Sequence, residues 1–186
     1  MKRANKKLDN KATLALNESD HRHEVAALLV EADKYFDQKK WKQANVVYKQ
    51  IIDLDSSNAL ALNGLGLIAM ELNMLSLAVD FFNMACEINA KDLLVNKNLA
   101  VAYTRMSRFS DAIFQYLLIL DIDENNNDAH GELARLNLEA GNAELALHHC
   151  KYALNLDSEE ESTLKGIVAT DSTVISVAGS IEVSEK

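Results

Sequence analysis

Alanine recurs at positions 44, 78, 112 and 146, once every 34 residues. The columns around it keep the same step. Four residues on stand Tyr48, Phe82, Tyr116 and Cys150, then Ile51, Ala85, Ile119 and Ala153, then Leu54, Ile88, Ile122 and Leu156. Twelve residues before each Ala stand Ala32, Gly66, Ala100 and Ala134. Leu65, Leu99 and Leu133 precede the last three of these, and Glu31 breaks that column in the first unit. A fixed period of this length marks a chain assembled from stacked copies of one supersecondary unit.

Within each unit the apolar residues fall three and four apart, the spacing of an amphipathic helix. Two such stretches occur per unit, broken near Gln38–Trp41, Asn73–Leu75, Ser107–Phe109 and Gly141–Ala143. Each unit is therefore expected to be a helical hairpin. The small residue on one helix and the Ala on the next let two backbones approach closely, and the aromatic fills the gap between neighbouring units. One hairpin cannot bury its apolar face alone, so stacking is required. The chain contains no proline and only six glycines, which suits helices joined by polar turns.

These residues resemble the tetratricopeptide repeat (TPR) family, and the whole is similar to small TPR proteins of bacterial type. The third unit fits best, through Leu99, Ala100, Tyr103, Ala112, Tyr116 and Ile119. The resemblance covers four repeats, 25–58, 59–92, 93–126 and 127–160. It implies an all-α, right-handed superhelical array. Leu28, Leu62, Asn96 and His130 replace the family's first tryptophan, and Ser56, Ala90, Glu124 and Ser158 replace its late proline. Polar runs such as Asp55–Asn58 and Glu124–Asp128 are expected to stop the helices instead. Ser158 and Glu161 form a capping box, which predicts a capping helix over 159–168. Residues 170–186 are expected to be a disordered tail, with a strand or self-docking segment as the alternative.

Charge separates the ends of the chain. Residues 1–24 carry six Lys/Arg against four acids, and the remainder carries 13 against 24. The segment 1–22 is expected to be a basic, flexible arm. The acidic body argues against nucleic-acid binding. No apolar run has the length to insert in a membrane and no secretory signal is visible, so the expected location is cytoplasmic. Cys86 and Cys150 are expected to be buried thiols.

No catalytic motif, cofactor site or metal site is expected. Adjacent helical residues point about 100° apart, so His148, His149 and Cys150 do not converge on one ion. His21 and His23 fall near the N-terminal arm. The acidic turn at Asp121, Asp123, Glu124 and Asp128 lacks the glycine and the distal glutamate of a calcium loop.

The resemblance implies that the first helix of each repeat lines a concave groove. Its inward positions supply Phe36; then Leu60, Asn63, Leu67 and Met70; then Leu94, Lys97, Val101 and Arg105; and finally Arg135. Apolar residues in such a row mark an interaction site. Lys97, Arg105 and Arg135 form a basic flank, and Asp33, Asp37 and Glu71 an acidic one. The alternative is that curvature turns several of these residues into core between repeats. The family's two-carboxylate clamp for chaperone tails is not expected, because Leu29 and Asp33 stand where it needs Lys and Asn. The expected function is a scaffold that holds an apolar or amphipathic segment of a partner protein. The alternatives are a small acidic secretion chaperone of the type III translocator kind, or an assembly arm for an enzyme on another chain. On the second helices, Phe81, Met84, Phe114, Leu118 and Tyr152 would support weak self-association, with ordinary packing between repeats as the alternative, expected for at least half of them.

Overall fold

The computed structural model describes residues 21–155, which hold eight α-helices and no strand. They are α1 (21–37), α2 (Trp41–Leu54), α3 (Ala59–Glu71), α4 (Leu75–Ile88), α5 (Leu93–Arg105), α6 (Phe109–Ile122), α7 (Asn127–Glu139) and α8 (Ala143–Ala153). The starts of α3, α5 and α7 are 34 residues apart, and so are those of α2, α4, α6 and α8. The expected 159–168 helix and 170–186 tail lie outside the described residues. So does the 1–22 arm, apart from His21 and Arg22, which are helical.

The helices fall into two compact units divided between Ala90 and Lys91. In the first, Ala32, Ala44, Val47, Tyr48, Ile51, Ala61, Leu65 and Ile68 form one buried cluster. In the second, α5 packs on α6, α6 on α7 and α7 on α8. The alanine column is fully buried throughout: Ala44, Ala78, Ala112 and Ala146 expose nothing. Two aromatics explain why small residues must face them. A Cβ at Gly66 would lie 2.4 Å from the Phe82 ring, and one at Gly64 would lie 2.4 Å from that of Tyr48. Only bare backbone allows those rings to seat.

The hairpin turns repeat in geometry as well as in position. Lys39, Asn73, Ser107 and Gly141, each 34 apart, all have positive φ (56°, 57°, 58° and 79°). Each closes the preceding helix with the same pair of bonds. At the first, Lys40 N–H donates to Tyr35 C=O (2.9 Å) and Lys39 N–H to Phe36 C=O (2.8 Å). At the third, Arg108 donates to Tyr103 and Ser107 to Thr104 (both 2.9 Å). These paired 6→1 and 5→2 bonds satisfy carbonyls that the helix end leaves orphaned.

Between repeats, side-chain caps stand two residues beyond the positions of the family's proline. Asn58 and Asn126 each accept from the N–H three residues on, of Ala61 and Ala129 (3.0 Å each). Their amides donate back to Asp55 (3.1 Å) and Asp123 (3.0 Å). Asp92 caps α5 by accepting from Leu94 and Val95. The column Leu54, Ile88 and Ile122 ends up about two-fifths exposed rather than in the core. These residues close helices whose buried stripe has already run past them. The last repeat departs from the pattern: α8 ends at Ala153, and Asn155 takes positive φ (52°).

Two outcomes follow for stability. Ser107→Gly should raise the thermal midpoint, and Gly141→Ala should lower it, each by roughly 1 kcal/mol of unfolding free energy, because an L side chain strains the left-handed region. Gly66→Ala should destabilise by about 2–3 kcal/mol through the clash with Phe82, measured by thermal melts followed by circular dichroism.

Candidate protein-binding faces

The first helix of each hairpin carries the residues expected to meet a partner. Leu60 on α3 and Leu94 on α5 occupy the same register position, one in each unit. They are 60% and 57% exposed, a heavy exposure for leucine. Leu67 and Val101 are half-buried. Asn63 and Met70 are buried (both 7% exposed), so the interior takes two residues that the family resemblance had set on the open face. Phe36 is half-buried and packs edge-on against Trp41, with ring centroids 5.0 Å apart. It closes its own hairpin.

The charged flanks are largely neutralised within each unit. On the second unit, Lys97 of α5 forms an ion pair with Asp128 of α7. Beneath this pair lies a cleft of about 180 Å³ lined in part by Leu94, Tyr116 and Ala129. Arg135 binds Glu132 (2.8 Å) and Glu139 (2.7 Å) on its own helix. Burial works to lower the pKa of its guanidinium, and the two carboxylates more than offset that, so the net shift is upward. Arg105 is exposed. On the first unit, the Asp33 carboxylate accepts from the Tyr48 hydroxyl, whose pKa is raised by burial and then by that bond. Asp33 is thus tied to the core aromatic instead of standing free as an acidic rim.

The fourth repeat contains a pair that sequence spacing concealed. His130 occupies the family's tryptophan position on α7 and is buried (5% exposed). Its Nδ1 lies 3.0 Å from Nδ1 of His149 on α8. Its Nε2 lies 3.0 Å from the Glu124 carbonyl. A carbonyl only accepts, so His130 Nε2 carries the proton. Nδ1 is then bare and accepts from His149 Nδ1–H. The His130 ring stacks on Tyr152 at 4.8 Å, and His148 lies 5.0 Å from the same ring. The pair is a packing element that stands in for the missing indole. Among the described residues no group of three or more His, Cys, Asp or Glu is placed to hold a metal ion. Cys150 is buried and its thiol pKa is raised by that burial, while Cys86 is only half-buried.

Burial, then His130 and His148, lower the His149 pKa to about 4. An unfolded histidine titrates near pH 6.5, so the neutral native ring contributes stability above that pH and loses it as the pH falls toward 4. Between pH 7.5 and 5 the chain should lose about 2 kcal/mol that His149→Gln does not lose, read as the difference between their pH-dependent melts.

The described residues contain no helix long and apolar enough to cross a membrane. Residues 29–92 match the family model for the tetratricopeptide repeat. The fold is similar to that of MamA, at 22% identity over 76% of this chain and 80% of that one, with a TM-score of 0.66. MamA from Desulfovibrio magneticus RS-1, from residue 41 onward, aligns at 16% identity over 71% and 75% of the two chains, with a TM-score of 0.64. The first TPR of Spaghetti (RPAP3), bound to the HSP90 peptide SRMEEVD, aligns at 21% identity over 63% of this chain and 93% of that one, with a TM-score of 0.60. At these identities the likeness speaks for the fold. With the 34-residue register carried from α1 through α8, the described residues have the fold of a tetratricopeptide-repeat array, and the stretch 29–92 within them matches that family's model.

Proposed function

We propose that this chain is a non-catalytic scaffold that binds an apolar or amphipathic segment of a partner protein on the first helices of its repeats. The observation that carries this is the pair Leu60 and Leu94, presented to solvent at one register position in both units. A leucine there leaves more than half of its surface uncovered by its own chain, and covering the remainder by a partner would contribute about 1 kcal/mol at each position. Half-buried Leu67 and Val101 lie on the same helices and extend each apolar face.

The RPAP3 relative takes a peptide ending in acidic residues. This chain is expected to prefer a different ligand. Leu29 and Asp33 occupy positions where a carboxylate clamp needs Lys and Asn, and a carboxylate already bonded to Tyr48 would repel an acidic tail. Lys97 and Asp128 form a mixed-charge rim beside Leu94, which suits an apolar segment oriented by polar flanks. We place this binding in the cytoplasm.

Affinity purification from the native host, with mass spectrometry, would identify the partner, and calorimetry would then measure its affinity. Leu60→Asp and Leu94→Asp should each weaken binding by at least about tenfold, at unchanged helicity, because an exposed leucine contributes to the complex and not to the fold. Full affinity in both variants would refute the proposal.

A further inference from the structure

A second apolar depression lies on the first unit, away from the exposed leucine of α3. It sits where the α1–α2 turn and the start of α2 face the α3–α4 turn and the start of α4. Its volume is about 590 Å³, within the range of pockets that hold ligands. Buried Leu65, Ile68 and Ala69 of α3 form its floor. Its wall contains Leu72, Met74 and Leu77, which are 50%, 50% and 38% exposed. Trp41 and Phe81 complete the apolar lining. Three such residues on one short turn and helix start are more apolar surface than that repeat needs to close its own core.

The rim has the opposite sign to the chain. Lys39, Lys40, Lys42 and Lys49 all line the pocket, and no Asp or Glu does. The protein as a whole carries a net charge of −9. Lys39 is held at the rim by its left-handed turn position, and Lys40 lies 6.0 Å from the centre of the Tyr35 ring. A neutral apolar occupant would desolvate four ammonium groups without compensation, and a basic one would be repelled. The basic first residues of this chain are poor occupants for the same reason: residues 1–20 hold five Lys/Arg against three acids.

We propose that this pocket docks an acidic amphipathic peptide segment of a partner protein, with one or two large apolar side chains seated between the lysines and flanking Asp or Glu paired with them. The site is separate from the faces at Leu60 and Leu94 and does not rest on the function proposed for them. It gives one repeat pair two ligand preferences, apolar on one side and acidic-apolar on the other.

The test is selection of a random peptide library on the immobilised full-length chain, followed by fluorescence anisotropy with the best synthetic peptide. The expected peptides surround Leu, Phe or Trp with at least two acids. Their affinity should fall about tenfold or more in Lys42→Glu/Lys49→Glu, and in Met74→Glu, which alters an exposed wall residue. It should also weaken with added salt and stay unchanged in Leu60→Asp, with circular dichroism confirming that each variant folds. Recovery of no peptide, of peptides without acids, or of peptides that bind the lysine variant equally well would overturn the proposal. So would loss of binding only in Leu60→Asp, which would move the site to the other face. Two further results would reassign the pocket and likewise overturn it. One is flotation with phosphatidylcholine–phosphatidylglycerol vesicles that the lysine variant abolishes while no peptide binds. The other is a dimer in sedimentation velocity that Met74→Glu dissolves, which would make the occupant a second copy.

Discussion

The seating of the Phe82 ring against the bare backbone at Gly66 is the constraint on which the described architecture turns. A single added methyl group would stand 2.4 Å from that ring. Two helices of a hairpin can share so little space only if one gives up side-chain volume where the other spends it. The register carries both partners along the chain: small residues at 32, 66, 100 and 134 recur at the same 34-residue step as the rings at 48, 82 and 116. Close packing tolerates little error in volume, so the period must be kept to the residue. In the last repeat a thiol replaces the ring, and α8 is three residues shorter than α2, α4 and α6, at 11 against 14.

The turns let that packing repeat without proline. A left-handed residue every 34 positions ends one helix, and an Asn or Asp cap starts the next hairpin. Both devices consume backbone groups at helix ends, which are orphaned in any case. The faces of the first helices are therefore left without structural duties at positions such as Leu60 and Leu94. The same economy explains the charges. Lys97, Arg135 and Asp33 each find a partner within their own unit, so the first-helix faces are less strongly charged than the composition implies. The lysines at 39, 40, 42 and 49 instead gather at one pocket, in a chain whose net charge is −9.

Much of the fold was legible from periodicity, because a 34-residue repeat leaves few ways to bury its stripes. The hairpin breaks at Asn73, Ser107 and Gly141 could be located for the same reason, although only backbone geometry revealed that Lys39 shares their left-handed conformation. The faces were less legible. Asn63 and Met70 were expected on the open side and are buried, since a helix of 3.6 residues per turn presents a continuous surface, and a few degrees of rotation decide which flank residue is covered. The pocket that brings Lys39, Lys40 and Lys42 together with Leu72 and Met74, some thirty residues on, was not legible at all.

Sequence alone determined the repeat length, the helical content and the acidic balance. All of these depend on spacing along the chain, and spacing is what a sequence records. Only the tertiary structure decided that His130 pairs with His149 in place of an indole, that Asp33 belongs to Tyr48, and that Leu60 and Leu94 remain uncovered. Those outcomes depend on distances between residues on different helices, where less than one ångström separates a hydrogen bond from none. Hydrophobic pattern sets which side of a helix turns inward, and the packed neighbours set how far.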